Sequence, residues 1–193
     1  MNQRSLPIKL RFRDSYITTP QLPISKDEMI RALNCLKGHK IVLFVEREGS
    51  MDPFKPFIDT LIETFQELGC LDSGIIYEFD VAPTRHLFIK MAPNGPIDTS
   101  WGLGVLDNIK DIKDLVIISD AGAARRNYYS ERLLNTILFL DSVKEAHICY
   151  WLNPVSSFQW KSSTAEDISK HVNMISLDVE GLERFASIMN VSS

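Results

Sequence analysis

Four residues concentrate the chemistry this sequence could do. Glu46, Glu48 and Ser50 follow the apolar run Ile41-Val-Leu-Phe-Val45, and Asp120 follows a second run, Leu115-Val-Ile-Ile-Ser119. Three carboxylates and a hydroxyl gathered at one point would line a pocket with oxygen. Hard divalent cations take such pockets, because they want about six oxygens from carboxylates, hydroxyls and water. Without a cation the same acids repel one another, so at least one pKa must rise or an arginine must face them. Arg47, Arg125 and Arg126 are the arginines that could supply that charge.

Whether the four residues meet depends on the elements that carry them. Both apolar runs are short and rich in β-branched side chains, the pattern of a central strand buried on both faces of a parallel sheet. Ligands of open α/β sheets bind at the carboxyl ends of such strands, and adjacent strand ends lie about 4.8 Å apart. Glycine reaches backbone conformations closed to other residues, so a tight turn at Gly49 could gather Glu46, Glu48 and Ser50 around one point.

The remaining elements alternate between strands and helices. Residues 1–24 form an arm interrupted by Pro7, Pro20 and Pro23, with Ile8 to Arg13 as a candidate edge strand. Ser25-Lys-Asp-Glu28 has the spacing of a capping box, and Met29, Ile30, Leu33 and Leu36 follow at helical spacing up to Gly38. A helix from Pro53 carries a stripe of Phe54, Phe57, Ile58, Leu61, Ile62, Phe65 and Leu68. Residues 73–81 and 85–91 read as strands paired in a hairpin at Ala82-Pro83-Thr84, with Pro93 to Pro96 as a loop. A short helix is expected from Thr99 or Ser100 to Ile109. Ser130 opens a helix with Leu133, Leu134, Ile137, Leu138 and Leu140 inward, and 146–152 is a strand. Ser163 to Glu166 is a second capping box, 174–177 is a strand, and Asp178 caps a last helix that buries Leu182, Phe185, Ala186 and Met189. The expected fold is one α/β domain over 25–193: a doubly wound, mostly parallel sheet with helices on both faces.

Composition excludes several function classes. The chain has 193 residues and a net charge of −4, so no basic footprint points to nucleic acid. Its longest apolar runs fall far short of the roughly 18 residues of a membrane span. Cys35, Cys70 and Cys149 are scattered without metal spacing, as expected of free thiols in a cytoplasmic protein. The four histidines show no ligand spacing, and Gly102-Leu-Gly104 is too short for a dinucleotide fingerprint. Trp160, near the Asn153-Pro154 turn, is the best candidate for an exposed partner contact. Arg125 and Arg126 beside Asp120 would form the rim of a binding face.

Two buried strands ending in oxygen-rich turns, one early and one mid-chain, resemble the von Willebrand factor A domain with its metal-ion-dependent adhesion site. That family's first motif, Asp-x-Ser-x-Ser, falls here on Glu46, Glu48 and Ser50, followed by Met51. Its later aspartate falls on Asp120 in Ser119-Asp-Ala-Gly, and its threonine on Thr99 or Ser100, with Thr99 preferred. The stretches Ser119-Asp-Ala-Gly-Ala-Ala and Trp151-Leu-Asn-Pro also resemble bacterial proteins of this type associated with MoxR-type AAA ATPases. The resemblance implies a non-enzymatic adaptor that binds a protein partner, possessing a degenerate site for Mg²⁺ or Mn²⁺ formed by Glu46, Glu48, Ser50, Thr99 and Asp120. Two departures bear on the ion: Glu46 is longer than Asp, and Glu48 puts a charge where the family has a hydroxyl. The alternative reading is a metal-dependent, phosphatase-like hydrolase using the same carboxylates, but the sequence supplies it with no general base or nucleophile.

Overall fold

In a computed structural model of the chain, the described residues are 24–47, 49–84, 87–91, 95–99, 109 and 113–192. The arm therefore lies almost wholly outside them. The elements in order are α1 (Lys26–Leu33), β1 (Ile41–Glu46), α2 (Lys55–Glu67), β2 (Leu71–Phe79), β3 (Leu87–Met91) and β4 (Gly95–Thr99). They continue with β5 (Asp114–Ile118), α3 (Ser130–Val143), β6 (Ile148–Asn153), α4 (Thr164–Ile168), β7 (Asn173–Ser176) and α5 (Val179–Ser192). The strands form one sheet in the order β4-β3-β2-β1-β5-β6-β7. From β2 to β7 every neighbouring pair is parallel, while β3 and β4 add an antiparallel edge. This is the three-layer, Rossmann-like α/β arrangement that the strand–helix alternation predicts.

Register and aromatic packing assign the two faces. Leu43 of β1 pairs with Val116 of β5, which pairs with Tyr150 of β6. Tyr150 meets Phe185 of α5 edge-on at 5.5 Å, and Phe185 meets Phe65 of α2. One residue along, Phe44 stacks on Tyr77 of β2 and meets Phe139 of α3 at 5.5 Å. Side chains alternate along a strand, so α1, α2 and α5 cover one face and α3 and α4 the other. Glu46 lies two residues beyond Phe44 and shares the α3 face.

Local signals hold where the chemistry is local. The Ser25 capping box forms, with the Glu28 carboxylate accepting from Ser25 N at 2.8 Å, and the linker after α1 turns at Gly38 with φ of +86°. Asp178 accepts from Gly181 N at 2.7 Å to start α5, which buries Leu182, Phe185, Ala186 and Met189. The second capping box does not form: Ser163 Oγ donates to Trp160 O, while Glu166 accepts from Ser162 N.

Three expectations are corrected by packing. Thr99 ends a strand rather than opening a helix, and β4 begins at Gly95, inside the expected loop. Pro96 is tolerated there because β4 is an edge strand; beyond Thr99, Ile109 is the part of the expected helix that falls among the described residues, and it is buried. On α3 the buried residues are Thr136, Phe139, Leu140 and Val143, whereas Leu134 and Leu138 stand 59% and 56% exposed. Phe57 on α2 is only half-buried, while Leu61 is fully buried. Leu61→Ala should therefore cost about 2–5 kcal/mol in a urea unfolding experiment. Phe57→Ala should cost less than about 2 kcal/mol. Equal costs would mean that the α2 face is misassigned.

Candidate functional site

The sheet changes winding direction at β1, whose neighbours are β2 on one side and β5 on the other. That is the topological switch point, where the crevice beyond the strand ends receives ligands in open α/β sheets. Glu46 closes β1 and Asp120 follows β5 at this point. A cleft of about 310 Å³ opens here, lined among others by Glu46, Ser50, Asp80, Arg125, Tyr129 and Arg132.

The acids do converge, and an arginine meets them. Arg132 of α3 donates from Nη2 to Glu46 Oε1 at 2.8 Å and from Nη1 to Glu46 Oε2 at 3.2 Å. Nη1 also reaches Asp120 Oδ1 at 3.5 Å. Ser119 Oγ donates to Glu46 Oε2, and Ala121 N donates back to Ser119 Oγ. Glu46 is 3% exposed and Asp120 fully buried. Arg132 lies two helical turns before Phe139, on the same helix face, so the packing of Phe139 onto Phe44 brings Arg132 over Glu46.

Asp120 anchors the loop that follows it. Its Oδ1 accepts from Gly122 N and its Oδ2 from Ala124 N, both at 3.0 Å. Gly122 has φ of +87°, and a side chain there would begin 3.0 Å from Asn127 O, so only glycine fits. Ala121 holds φ of +52°, a strained conformation for a residue with a Cβ. From β6, Trp151 Nε1 donates to Ser119 O at 2.8 Å and Asn153 Nδ2 to Asp120 O at 3.0 Å. Thr164 at the start of α4 holds the far side of the loop through Asn127 O and Tyr129 N.

The other expected site residues fall as follows. Ser50 is buried in a 3₁₀ turn (Gly49–Phe54) and lines the cleft. Met51 lies beneath Asp120, whose N–H donates to Met51 Sδ. Glu48 lies outside the described residues. The backbone of Thr99 is at the same sheet edge, but three strand spacings from β1, about 14 Å away. Arg125 is exposed at the cleft, beside Gly49, and forms no ion pair among the described residues. Arg126 is exposed, and Arg47 pairs with Glu78 at 3.2 Å. Trp160 is half-buried against the core, with its indole N–H on Val155 O, and nearby Phe158 is the exposed aromatic instead.

Arg132, Trp151 and Asn153 are the site residues that sequence reading missed in these roles. Arg132 sat in a stretch read only for its apolar spacing. Its signal was a basic residue seven positions before a core phenylalanine.

No protein-family model and no curated protein matches the chain. The class rests on fold and site: a Rossmann-like domain with an arginine-bridged pair of acids at its switch point. No helix among the described residues is long and apolar enough to cross a membrane.

Burial pushes the Glu46 carboxyl up, to about 7, against the pull of Arg132; the charge of Asp120 raises it further and Ser119 lowers it. The folded protein then holds a proton on Glu46 that the unfolded chain has released between its ordinary value and about pH 7. Stability from this residue is present at low pH and lost as pH rises through 7. The advantage of wild type over Glu46→Gln should shrink by up to about 3 kcal/mol between pH 5 and pH 8. Denaturant melts across that range measure it; an advantage that stays constant across that range would mean Glu46 is ionised throughout.

Proposed function

We propose that this chain is a von Willebrand factor A-like interaction module, a non-enzymatic adaptor that binds a protein partner through its strand-end cleft. The observation that carries this reading is that Glu46 and Ser50 line one cleft at the switch point, with Asp120 buried beside Glu46 on the same arginine, in the order the resemblance assigns them. The partner in this reading is a MoxR-type AAA ATPase or a related bacterial assembly, met in the cytoplasm. Arg125 and Arg126, both exposed on the loop after Asp120, form the rim that the partner meets.

The arrangement offers little to a hydrolase. Among the described residues no histidine lines the cleft. His39, His147 and His171 each precede a strand of the parallel set, which puts them toward the opposite edge of the sheet. Ser50 lines the cleft with no imidazole beside it among the described residues to take its proton, and nucleophilic catalysis by serine needs such a base.

Two measurements test the reading. Purified protein with Mg²⁺ or Mn²⁺ should give only background turnover on generic phosphoester and ester substrates. Turnover that Asp120→Asn abolishes would reverse the adaptor reading. Arg125→Glu should weaken binding to a MoxR-type ATPase from the same genome, without lowering the melting temperature. Lys144→Glu, a change in an exposed pair with Asp141 beyond α3, should leave binding intact. Equal binding by both variants would place the interface elsewhere.

A further inference from the structure

The divalent ion implied by the resemblance must be weighed against the oxygens the site offers. All four carboxylate oxygens of Glu46 and Asp120 already accept from donors of this chain. Glu46 Oε1 takes Arg132 Nη2, and Oε2 takes Arg132 Nη1 and Ser119 Oγ. Asp120 Oδ1 takes Gly122 N and Arg132 Nη1, and Oδ2 takes Ala124 N. A cation between these two acids would sit where the Nη atoms are, and like charges a few ångströms apart in a buried site repel strongly. Among the described residues no group of three or more acidic, histidine or cysteine side chains is placed to hold a metal. Thr99 lies on the far edge strand. The donors that the described residues place here do not fit the ion.

We infer that Arg132 is the resident cation of this site: its guanidinium takes the position that the resemblance gives to a divalent metal, and the cleft is built to work without one. The inference rests on the cleft being the binding site proposed above. Its test reads charge and metal rather than partner capture, so the two fail separately.

The physical basis is charge balance. Arg132 bridges both acids from a helix that is fixed by Phe139 against Phe44, so the positive charge is delivered by core packing. A planar guanidinium matches a carboxylate with two parallel donors, a geometry that an ammonium cannot copy. It cannot be lost to a chelator.

The experiment has two readouts. The first is Mn²⁺ titration of wild type followed by electron paramagnetic resonance, with Glu46→Gln as the site control. Wild type should show no Mn²⁺ binding that Glu46→Gln removes; binding that this variant abolishes would overturn the inference. The second is a thermal melt at pH 8 of wild type, Arg132→Ala and Arg132→Lys, each in EDTA and in millimolar Mg²⁺ or Mn²⁺. Wild type should melt at the same temperature in all conditions. Arg132→Ala should melt lower in EDTA and regain about 3 °C or more with metal, because an ion that binds only the folded state stabilises it. Arg132→Lys, which keeps the charge, should fall between the two in EDTA and ignore metal. A metal response in wild type, or an Arg132→Ala protein indifferent to metal, would overturn the inference. If Arg132→Ala does not fold, the Mn²⁺ titration of wild type decides alone.

Discussion

The contact on which this site depends is the fork of Arg132 over Glu46. Two acids end adjacent parallel strands at the cleft floor, both almost wholly buried, and burying an uncompensated carboxylate costs several kcal/mol. The compensation comes from α3, on a different layer of the fold. Phe44 and Glu46 point to one face of β1, and Arg132 and Phe139 to one face of α3. The same two elements therefore make a hydrophobic contact and an ion pair in a fixed geometric ratio. A slip of one residue in the β1 register would send Glu46 to the opposite face and strand Arg132.

Around that contact the backbone is over-determined. Asp120 spends its carboxylate on two loop amides and a fork nitrogen, and its carbonyl on Asn153. Ser119 gives its hydroxyl to Glu46 and its carbonyl to Trp151. These bonds hold Ala121 in a left-handed conformation that its Cβ disfavours, next to Gly122, which adopts one freely. A loop with so many fixed donors cannot easily rearrange to admit an ion. It can present Arg125 and Tyr129 at a constant place on the rim.

The sheet was legible because its signals are one-dimensional. The runs 41–45 and 115–118 are apolar without alternation, and only a strand covered on both faces demands that. The helix starts at Ser25 and Asp178 were legible because a cap is a contact between near neighbours. The antiparallel edge was half-read: the hairpin at 82–84 was visible, but β4 begins in Gly95-Pro96, and its strand character comes from pairing with β3 rather than from propensity. The inward face of α3 was misread because seven apolar residues between Leu133 and Val143 allow two stripes, and only tertiary packing chose Phe139 over Leu134 and Leu138. Convergence of Glu46 and Asp120 was legible from strand order alone. Their partner was not: Arg132 stands 86 residues from Glu46, and no spacing rule joins them.

The identity of the compensating charge alters what the cleft can offer. A metal ion with an open coordination position attracts an incoming acid with its full field. A guanidinium that already donates to two carboxylates has most of its field cancelled and fewer N–H groups to spare. Selectivity at such a site shifts outward, to exposed groups, and Arg125, which forms no ion pair among the described residues, borders the cleft. An exposed arginine is screened by salt and holds a single acid only weakly. Tight binding to a rim of this kind must then draw on area as well as charge. The described surface offers some of that area at the cleft itself, where Tyr129 and Val81 stand exposed. An acid-bearing partner with an apolar flank suits this face better than a bare anion does, because its apolar contact supplies what the neutralised centre withholds.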